Sequence, residues 1–207
     1  MNTSRRGALY VIAAPSGAGK TSLVKAVLDR DPRLRVSVSH TTRKQRPTEV
    51  PGQAYNFVTV DEFKRLIEKG EFLEHAQVFD NYYGTGRAQV EALRNAGYDV
   101  ILEIDWQGAQ QVRTAAPDCK TVFILPPSRR ELETRLRNRN TDSDQVIERR
   151  LQDAVADMSH HDEFDFVIVN DDFETAVGQL LAILRGGGME YGAKRPDLAP
   201  LLADLLG

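Results

Sequence analysis

The clearest chemical signal in the sequence is the segment 14–21, Ala-Pro-Ser-Gly-Ala-Gly-Lys-Thr. It follows the apolar run 9–13 and precedes a helical pattern whose apolar residues, from Leu23 to Leu28, share one face. A strand, a glycine-containing loop, Gly-Lys-Thr and a helix are the context of a phosphate-binding loop, or P-loop. Glycines let backbone N–H groups point at phosphate oxygens, and the helix start adds its dipole and unpaired amides. The segment therefore predicts a phosphate site.

Two side chains of this loop could act on the phosphates directly. Lys20 can reach the β- and γ-phosphates, and the hydroxyl of Thr21 is placed to bind Mg²⁺. The first glycine of the usual pattern is an alanine here. The alternative interpretation is an accidental turn before an amphipathic helix. The predicted phosphate-binding residues are Ala14, Pro15, Ser16, Gly17, Ala18, Gly19, Lys20 and Thr21.

A second group of chemically active residues follows the strand-like piece 36–38. Arg43 and Arg46 lie three apart, and arginine recognises phosphate through two parallel hydrogen bonds. The alternative is a solvated basic loop. Glu74 stands inside the apolar run 72–76 and needs a buried partner. Tyr82-Tyr83-Gly84-Thr85 adds hydroxyl groups at a tight turn.

Further arginines occur in the second half of the chain. Arg135 and Arg139 are four apart and share a helix face, and Arg150 lies beside an apolar stripe. Such arginines can also extend their stems over apolar surface without binding anything. Asp105 ends an apolar strand, where an acid that binds a metal–nucleotide complex would lie. The pair His160-His161 has no metal-ligand spacing, so we expect the end of a surface helix, and Trp106 is interpreted as a packing residue.

The elements that must position these residues follow from the apolar runs. The runs 9–13, 100–104, 122–125 and 166–169 have the length of buried parallel strands, and 36–38 is a weaker fifth. Helical patterns follow several of them, which predicts an α/β fold with a doubly wound parallel sheet. The carboxyl ends of the strands should form the binding edge.

Two segments interrupt the alternation of strands and helices. Residues 39–86 mix short strands with one helix and form an inserted lobe, and residues 126–162 form two helices that we interpret as a mobile lid. The predicted core then comprises residues 1–38, 87–125 and 163–185. The tail, 186–207, is either a short leucine-rich helix or a flexible segment.

The overall composition limits the class of protein. The 207 residues fit one sizeable α/β domain, and a net charge of −3 does not indicate a nucleic-acid-binding surface. A single cysteine, Cys119, excludes an intrachain disulfide. The short polar stretch 2–6 has no long apolar segment behind it, so neither a signal peptide nor a membrane span is expected. We expect a soluble, cytoplasmic protein without membrane or nucleic-acid partners.

Several motifs closely resemble those of the guanylate kinase family, in its bacterial form. They are 37–43 (Ser-Val-Ser-His-Thr-Thr-Arg), 55–58 (Tyr-Asn-Phe-Val), 71–76 (Glu-Phe-Leu-Glu-His-Ala), 81–85 (Asn-Tyr-Tyr-Gly-Thr), 104–108 (Ile-Asp-Trp-Gln-Gly) and 168–172 (Ile-Val-Asn-Asp-Asp). The resemblance extends in unbroken order from Gly7 to about Arg185 and does not include the tail.

The resemblance implies the P-loop nucleoside monophosphate kinase fold, a parallel five-stranded sheet with helices on both faces. It also implies that ATP phosphorylates GMP to GDP with Mg²⁺, the inserted lobe holding GMP. In the family's pattern one set of residues binds the acceptor: Arg43, Arg46, Tyr55 and Tyr83 contact the GMP phosphate, and Glu74, Ser39 and Thr85 contact the guanine. Asp105 is associated with both the metal and the GMP end of the site.

The same resemblance assigns residues to ATP and to the transferring phosphoryl group. Arg135, Arg139 and Arg150 belong to the ATP phosphates, and Asn170 lies near the ATP base. Thr21 and Asp105 are the implied Mg²⁺ residues, whereas Glu103 stands where many members have aspartate and its role is open. The implied catalytic residues are Lys20, Arg46, Arg139 and Arg150.

Two other functions remain alternatives at the level of sequence. One is a guanylate-kinase-like binding module without catalysis, although Lys20, Arg43 and Glu74 are all present. The other is a kinase for a different phosphorylated acceptor. The segment 105–108 also matches the Asp-x-x-Gly of P-loop GTPases, but the chain has no Asn-Lys-x-Asp, which disfavours a GTPase switch. Activity on dGMP and the choice between monomer and homo-oligomer stay open.

Overall fold

The structure is a computed structural model that describes residues 5–78, 80–138 and 143–207. Its strands are β1 (Leu9–Ala13), β2 (Leu34–Val36), β3 (His40–Thr41), β4 (Asn56–Phe57), β5 (Phe72–Val78), β6 (Asn81–Gly86), β7 (Asp99–Glu103), β8 (Lys120–Leu125) and β9 (Phe166–Val169). Its helices are α1 (Lys20–Arg30), α2 (Val60–Glu68), α3 (Arg87–Asn95), α4 (Trp106–Ala115), α5 (Arg129–Arg137), α6 (Asp144–Met158), α7 (Phe173–Leu184) and α8 (Ala199–Leu206). Arg139, a predicted catalytic residue, lies outside the described residues.

Five strands form one sheet in the order β2-β7-β1-β8-β9. The pairs β2–β7 and β8–β9 are parallel, and crossover helices connect strands of this kind. The predicted α/β fold with a parallel five-stranded sheet is confirmed. Apolar composition explains why these segments are central, since every residue of β1 is buried and parallel strands are covered on both faces.

The weak strand predicted at 36–38 begins earlier than expected. The strand β2 covers Leu34 to Val36, and Leu34 is almost fully buried. The Ser37 N–H still donates to the Ile101 carbonyl at 3.1 Å, so the chain continues beside β7 beyond the end of the strand. The sequence did not show that β2 begins at Leu34, because the alternation of apolar and polar residues does not mark the start of a short buried strand.

A second sheet has the order β4-β3-β6-β5. The hairpin of β5 and β6 pairs Glu74 with Thr85, and the register shifts between Phe72 and Glu74. Helix α2 covers one face of this sheet, because Phe63 stacks on Phe72 and Tyr82 with ring centroids 4.6 and 5.5 Å apart. The opposite face is thereby left for the side chains of Glu74 and Thr85.

The chain divides into two compact units. One comprises residues 1–10, 33–102 and 107–119 and contains the four-stranded sheet. The other comprises residues 11–32, 103–106 and 120–207 and contains the P-loop and helices α5 to α8. The finer division into a core, an inserted lobe and a lid stays a prediction.

The tail contains a helix, α8, which packs on α6. Leu205 is fully buried, and the Asp204 carboxylate accepts a hydrogen bond of 3.0 Å from the Arg129 N–H at the start of α5. An acid at a helix start is stabilised by the helix dipole. Within the described part of the chain, no helix is long and apolar enough to cross a membrane.

Candidate active site

The P-loop connects β1 to α1, and its shape depends on two glycines. Gly17 and Gly19 both have φ of +94°, a left-handed conformation that other residues rarely adopt. A Cβ atom at Gly19 would lie 2.4 Å from Nδ2 of Asn170, and one at Gly17 would lie 2.9 Å from a methyl group of Leu132. The positive φ therefore favours glycine at both positions, and at Gly19 an added Cβ would also displace the Asn170 amide that is bonded to Ala18.

Asn170 holds the P-loop from within the protein. The residue is 5% exposed, and its side chain donates a hydrogen bond of 2.7 Å to the Ala18 carbonyl. Its own N–H donates to the Leu125 carbonyl at 2.9 Å, which fixes it at the end of β8. The structure thus gives Asn170 a bracing position under the loop, while its predicted contact with the ATP base stays a prediction.

A cavity of about 320 Å³ lies over this loop. Its lining consists of Ala14, Pro15, Ser16, Gly17, Gly19, Lys20, Thr21 and Ser22. Helix α1 begins at Lys20, and Gly19 precedes it without a side chain that could cap the first amides. A helix start of this kind binds anions through its N–H groups and dipole.

Lys20 is oriented toward the carboxyl ends of the strands. Its Nζ donates a hydrogen bond of 2.9 Å to the Ile104 carbonyl. Burial lowers the pKa of Lys20, and the carboxylates of Glu103, Asp105 and Asp157 act against that shift. The ammonium is therefore held among acids, where a bound polyphosphate would further favour its charged form.

Two acids stand beside the Lys20 ammonium. Glu103 accepts a hydrogen bond from Thr21, and burial raises the Glu103 pKa while Lys20 and Thr21 lower it. Asp105 is exposed at the strand end. The described residues contain no group of three or more His, Cys, Asp or Glu side chains that could hold a metal alone. Mg²⁺ suits this place, because it takes one or two carboxylates and completes its shell with phosphates and water.

The arginines of the predicted lid lie on α5 and α6. Arg135 donates to Glu131 at 2.9 Å through Nε and to the Asn170 carbonyl at 3.1 Å through Nη2. It therefore contacts the residue that braces the P-loop. Arg150 lies half-buried on α6, and Arg139 falls outside the described residues.

Two buried polar residues form a hydrogen-bonded pair within the segment predicted as the inserted lobe. Thr85 donates a hydrogen bond of 2.5 Å to Oε1 of Glu74, and the two residues are 1% and 6% exposed. The next residue of β5, His75, exchanges two backbone bonds of 3.0 and 3.1 Å with the Gln111 side-chain amide. Gln111 thus fixes β5 directly beside the buried carboxylate.

Arg43 is held by several neighbours, among them an acid and two tyrosines. Its guanidinium makes hydrogen bonds of 2.6 and 3.1 Å to the two carboxylate oxygens of Glu49. Its Cζ lies 5.4 Å from the ring centre of Tyr55, and Tyr83 also shares a hydrogen bond with it. Arg43 and the Arg46 N–H hold the pKa of Glu49 below its usual range.

The other predicted acceptor residues lie nearby in the same unit. The ring centroids of Tyr55 and Tyr83 are 6.0 Å apart, and Arg46 is exposed on the loop that carries Arg43. Ser39 is half-buried, and its carbonyl accepts from the Asn56 N–H at 2.9 Å. The structure therefore brings Arg43, Tyr55 and Tyr83 together and places Glu74 with Thr85.

The family model for guanylate kinase matches residues 6–186. The chain belongs to the guanylate kinase family. A guanylate kinase of Methylococcus capsulatus is 57% identical over 202 residues, which cover 98% of this chain and 99% of the relative. A guanylate kinase of Pseudomonas fluorescens strain Pf0-1 is 51% identical over 99% of this chain and 100% of the relative. The crystal structure of guanylate kinase from Anaplasma phagocytophilum matches with a TM-score of 0.71 and 34% identity, covering 96% and 95% of the two chains.

Two residues of this site were not predicted from the sequence. Glu49 orients Arg43, and its only sequence signal is an acid six residues after an arginine in a loop. Gln111 lies 36 residues from its partner His75, so no local pattern could connect them. The role of Glu103, left open before, is clearer because it bonds to Thr21.

Proposed function

We propose that this protein transfers the γ-phosphoryl group of ATP to GMP, which produces ADP and GDP. Membership of the guanylate kinase family and the preserved P-loop support a phosphotransferase. The observation that carries the choice of acceptor is the buried Glu74 carboxylate bonded to Thr85. We also propose Mg²⁺ as the metal and the cytoplasm, where both nucleotides occur, as the place of action.

Glu74 suits guanine because of the donors that guanine presents. The N1–H and the N2 amine lie side by side, and one carboxylate can accept from both. Adenine has no N1 proton and no N2 amine, so it would leave the buried carboxylate unsatisfied. A matched bidentate contact discriminates by about 1–3 kcal/mol. Thr85 fixes one oxygen of Glu74 and so sets the plane of the carboxylate.

Arg43 suits the acceptor phosphate because its fork of N–H donors matches two oxygens of one anion. In the structure the Glu49 carboxylate occupies two of those donors. The acceptor phosphate would bind beside Glu49, to Arg43 and to the hydroxyls of Tyr55 and Tyr83. Arg46 would supply a second positive charge. The acceptor phosphate is already anionic and needs no general base.

The donor side would be held mainly by the backbone of the P-loop. Its amides and Lys20 would bind the β- and γ-phosphates, and Thr21 with Glu103 and Asp105 would hold Mg²⁺. The metal, when bound, neutralises charge on the phosphates. An acceptor oxygen would bond to the γ-phosphorus in line with the breaking bond to the β–γ bridging oxygen, and ADP would leave. Arg46, Arg139 and Arg150 would balance charge on the equatorial oxygens.

The experiment is a coupled assay of ADP formation with ATP and Mg²⁺, run separately with GMP, dGMP, AMP, CMP and UMP. We expect activity with GMP, little with AMP, CMP or UMP, and loss of activity in Lys20→Ala. The matched control is Lys25→Ala, an exposed lysine on the same helix, which should retain activity. Absence of activity with every acceptor would favour the binding-module alternative, and a preference for another acceptor would favour the second alternative.

A further inference from the structure

Trp106 is held on two sides by residues at the end of α6. Its indole ring lies flat on the imidazole of His160, with ring centroids 3.4 Å apart and an interplanar angle of 10°. Its side chain also shares a hydrogen bond with Asp157, and the indole N–H must be the donor because it is the ring's only polar hydrogen. We call Trp106, Asp157 and His160 the Trp106 clamp.

His160 is itself held in place. Its Nδ1 lies 2.6 Å from Oε1 of Glu163, which fixes the plane of the imidazole ring. The adjacent His161 is engaged differently, because its Nδ1 pairs with the Met158 carbonyl at 2.9 Å. The two neighbouring histidines therefore make different contacts. The pair was predicted to lie at a surface helix end, but His160 is half-buried and stacks on Trp106.

The Trp106 clamp connects two parts of the predicted phosphate site. Trp106 directly follows Asp105 and is the first residue of α4. Asp157 comes seven residues after Arg150 on α6, so the two share a helix face two turns apart. The Trp106 clamp thus connects the segment that carries Asp105 to α6, the helix that carries Arg150.

We propose that the Trp106 clamp is a positioning device for phosphoryl transfer, which holds Asp105 and the Arg150 helix in register with each other. This inference rests on the proposed function of the P-loop and Asp105. Trp106, Asp157 and His160 touch no reacting atom in this proposal and act through their neighbours. Residues that orient metal ligands typically change metal affinity or activity by about 10- to 100-fold when replaced.

The test compares His160→Ala with its neighbour His161→Ala as the matched control. We expect His160→Ala to lower kcat by about 10- to 100-fold and to leave KM for GMP nearly unchanged, because Arg43 and Glu74 do not depend on the clamp. His161→Ala should keep kcat within about two-fold of the unaltered protein. His160→Phe, which retains a ring on the indole, should recover much of the activity.

Two further readouts separate positioning from general stability. Trp106 is the only tryptophan, so its emission in the metal-free protein should shift in His160→Ala and not in His161→Ala. Calorimetric titration with a nonhydrolysable ATP analogue should show weaker binding of about ten-fold with Mg²⁺ and little change without it. Equal losses with and without Mg²⁺, or unchanged kcat and emission, would overturn the proposal.

A wrong assignment of the reaction can be distinguished from a wrong assignment of the Trp106 clamp. If the unaltered protein formed no GDP from GMP, the assignment of the reaction would fail. The Trp106 clamp would then be judged by the Mg²⁺ dependence of analogue binding alone. A selective loss in His160→Ala would support the clamp, and no selective loss would contradict it.

Discussion

The P-loop and the inserted lobe are both proposed to bind phosphate, but they do so with different parts of the chain. In the P-loop, the donors are backbone amides whose directions depend on Gly17 and Gly19, and Asn170 braces them from within. In the predicted inserted lobe, the proposed binding groups are side chains that already have partners, as Arg43 has in Glu49. The loop should therefore be sensitive to changes of conformation, and the lobe to changes of side-chain chemistry.

The largest effect should come from Gly19→Ala, which attacks the backbone of the P-loop. The added Cβ would lie 2.4 Å from Asn170 Nδ2, and a positive φ costs a residue other than glycine about 1–3 kcal/mol. Because small misplacements of catalytic groups can cost about 100-fold, we expect kcat/KM for ATP to fall by about that factor. Steady-state kinetics and a thermal melt would measure the effect.

The control for Gly19→Ala is Gly178→Ala in the interior of α7. Apart from the chain neighbours and the backbone of α7 itself, no described atom lies within 4 Å of the Cβ position there. Alanine should stabilise that helix by up to about 1 kcal/mol and leave kinetics unchanged. Retention of ATP use in Gly19→Ala would show that backbone conformation does not govern the loop.

The next largest effect should come from Glu74→Gln in the inserted lobe. Glutamine keeps the shape but can accept through only one oxygen, so the contact to guanine loses one of its two bonds. We expect kcat/KM for GMP to fall by about 5- to 150-fold, the equivalent of about 1–3 kcal/mol. Substrate profiling would measure it, and the exposed Glu71→Gln on the same segment should change little. An equal loss with AMP would argue against guanine recognition.

A smaller effect should come from Asn170→Ala, which removes the brace and retains the glycines. The Ala18 carbonyl loses its 2.7 Å bond, and an unsatisfied buried acceptor costs about 1–3 kcal/mol. We expect a melting temperature lower by about 2–4 °C per kcal/mol and a higher KM for ATP, with KM for GMP unchanged. The exposed neighbour Asp171→Ala provides the control. If KM for GMP rose as much as KM for ATP, the two regions would not be independent.

The smallest expected effect is a pH-dependent change of stability, because the pKa values of acids are shifted in opposite directions in the two regions. Arg43 lowers the pKa of Glu49 in the inserted lobe, whereas burial and Asp105 raise the pKa of Asp157 to about 6 beside the P-loop. A raised pKa means that the fold favours the protonated acid. The contribution to stability is therefore full below the ordinary value of 3.8 and is lost as pH rises through about 6.

Asp157→Asn should remove the loss of stability at high pH, because asparagine does not ionise. Its side-chain oxygen still accepts from the Trp106 N–H. We expect the variant to gain stability relative to the unaltered protein at pH 8 and to match it at pH 4, by a modest amount since Asp157 is partly exposed. Urea unfolding at both pH values would measure the difference. An identical difference at the two pH values would show that the effect is not due to ionisation.

Short stretches of the sequence determined much of the fold and of the phosphate-binding loop. The bounds of β1 and β9, the P-loop and the parallel five-stranded sheet were predicted from apolar runs and glycine spacing, and the structure agrees. These features depend on neighbouring residues, because backbone conformation and strand burial follow from short stretches of chain. The resemblance of the motifs likewise identified the family.

The supporting contacts were decided only by the tertiary structure. The bond between Asn170 and Ala18 joins residues 152 apart, and that between His75 and Gln111 joins residues 36 apart. The stack of Trp106 on His160 likewise depends on where the end of α6 comes to lie. No periodicity specifies such pairs, because they exist only after the strands have taken their order in the sheet and the helices have packed. The groups proposed to bind the nucleotides were therefore readable from the chain, whereas the residues that hold them in place were not.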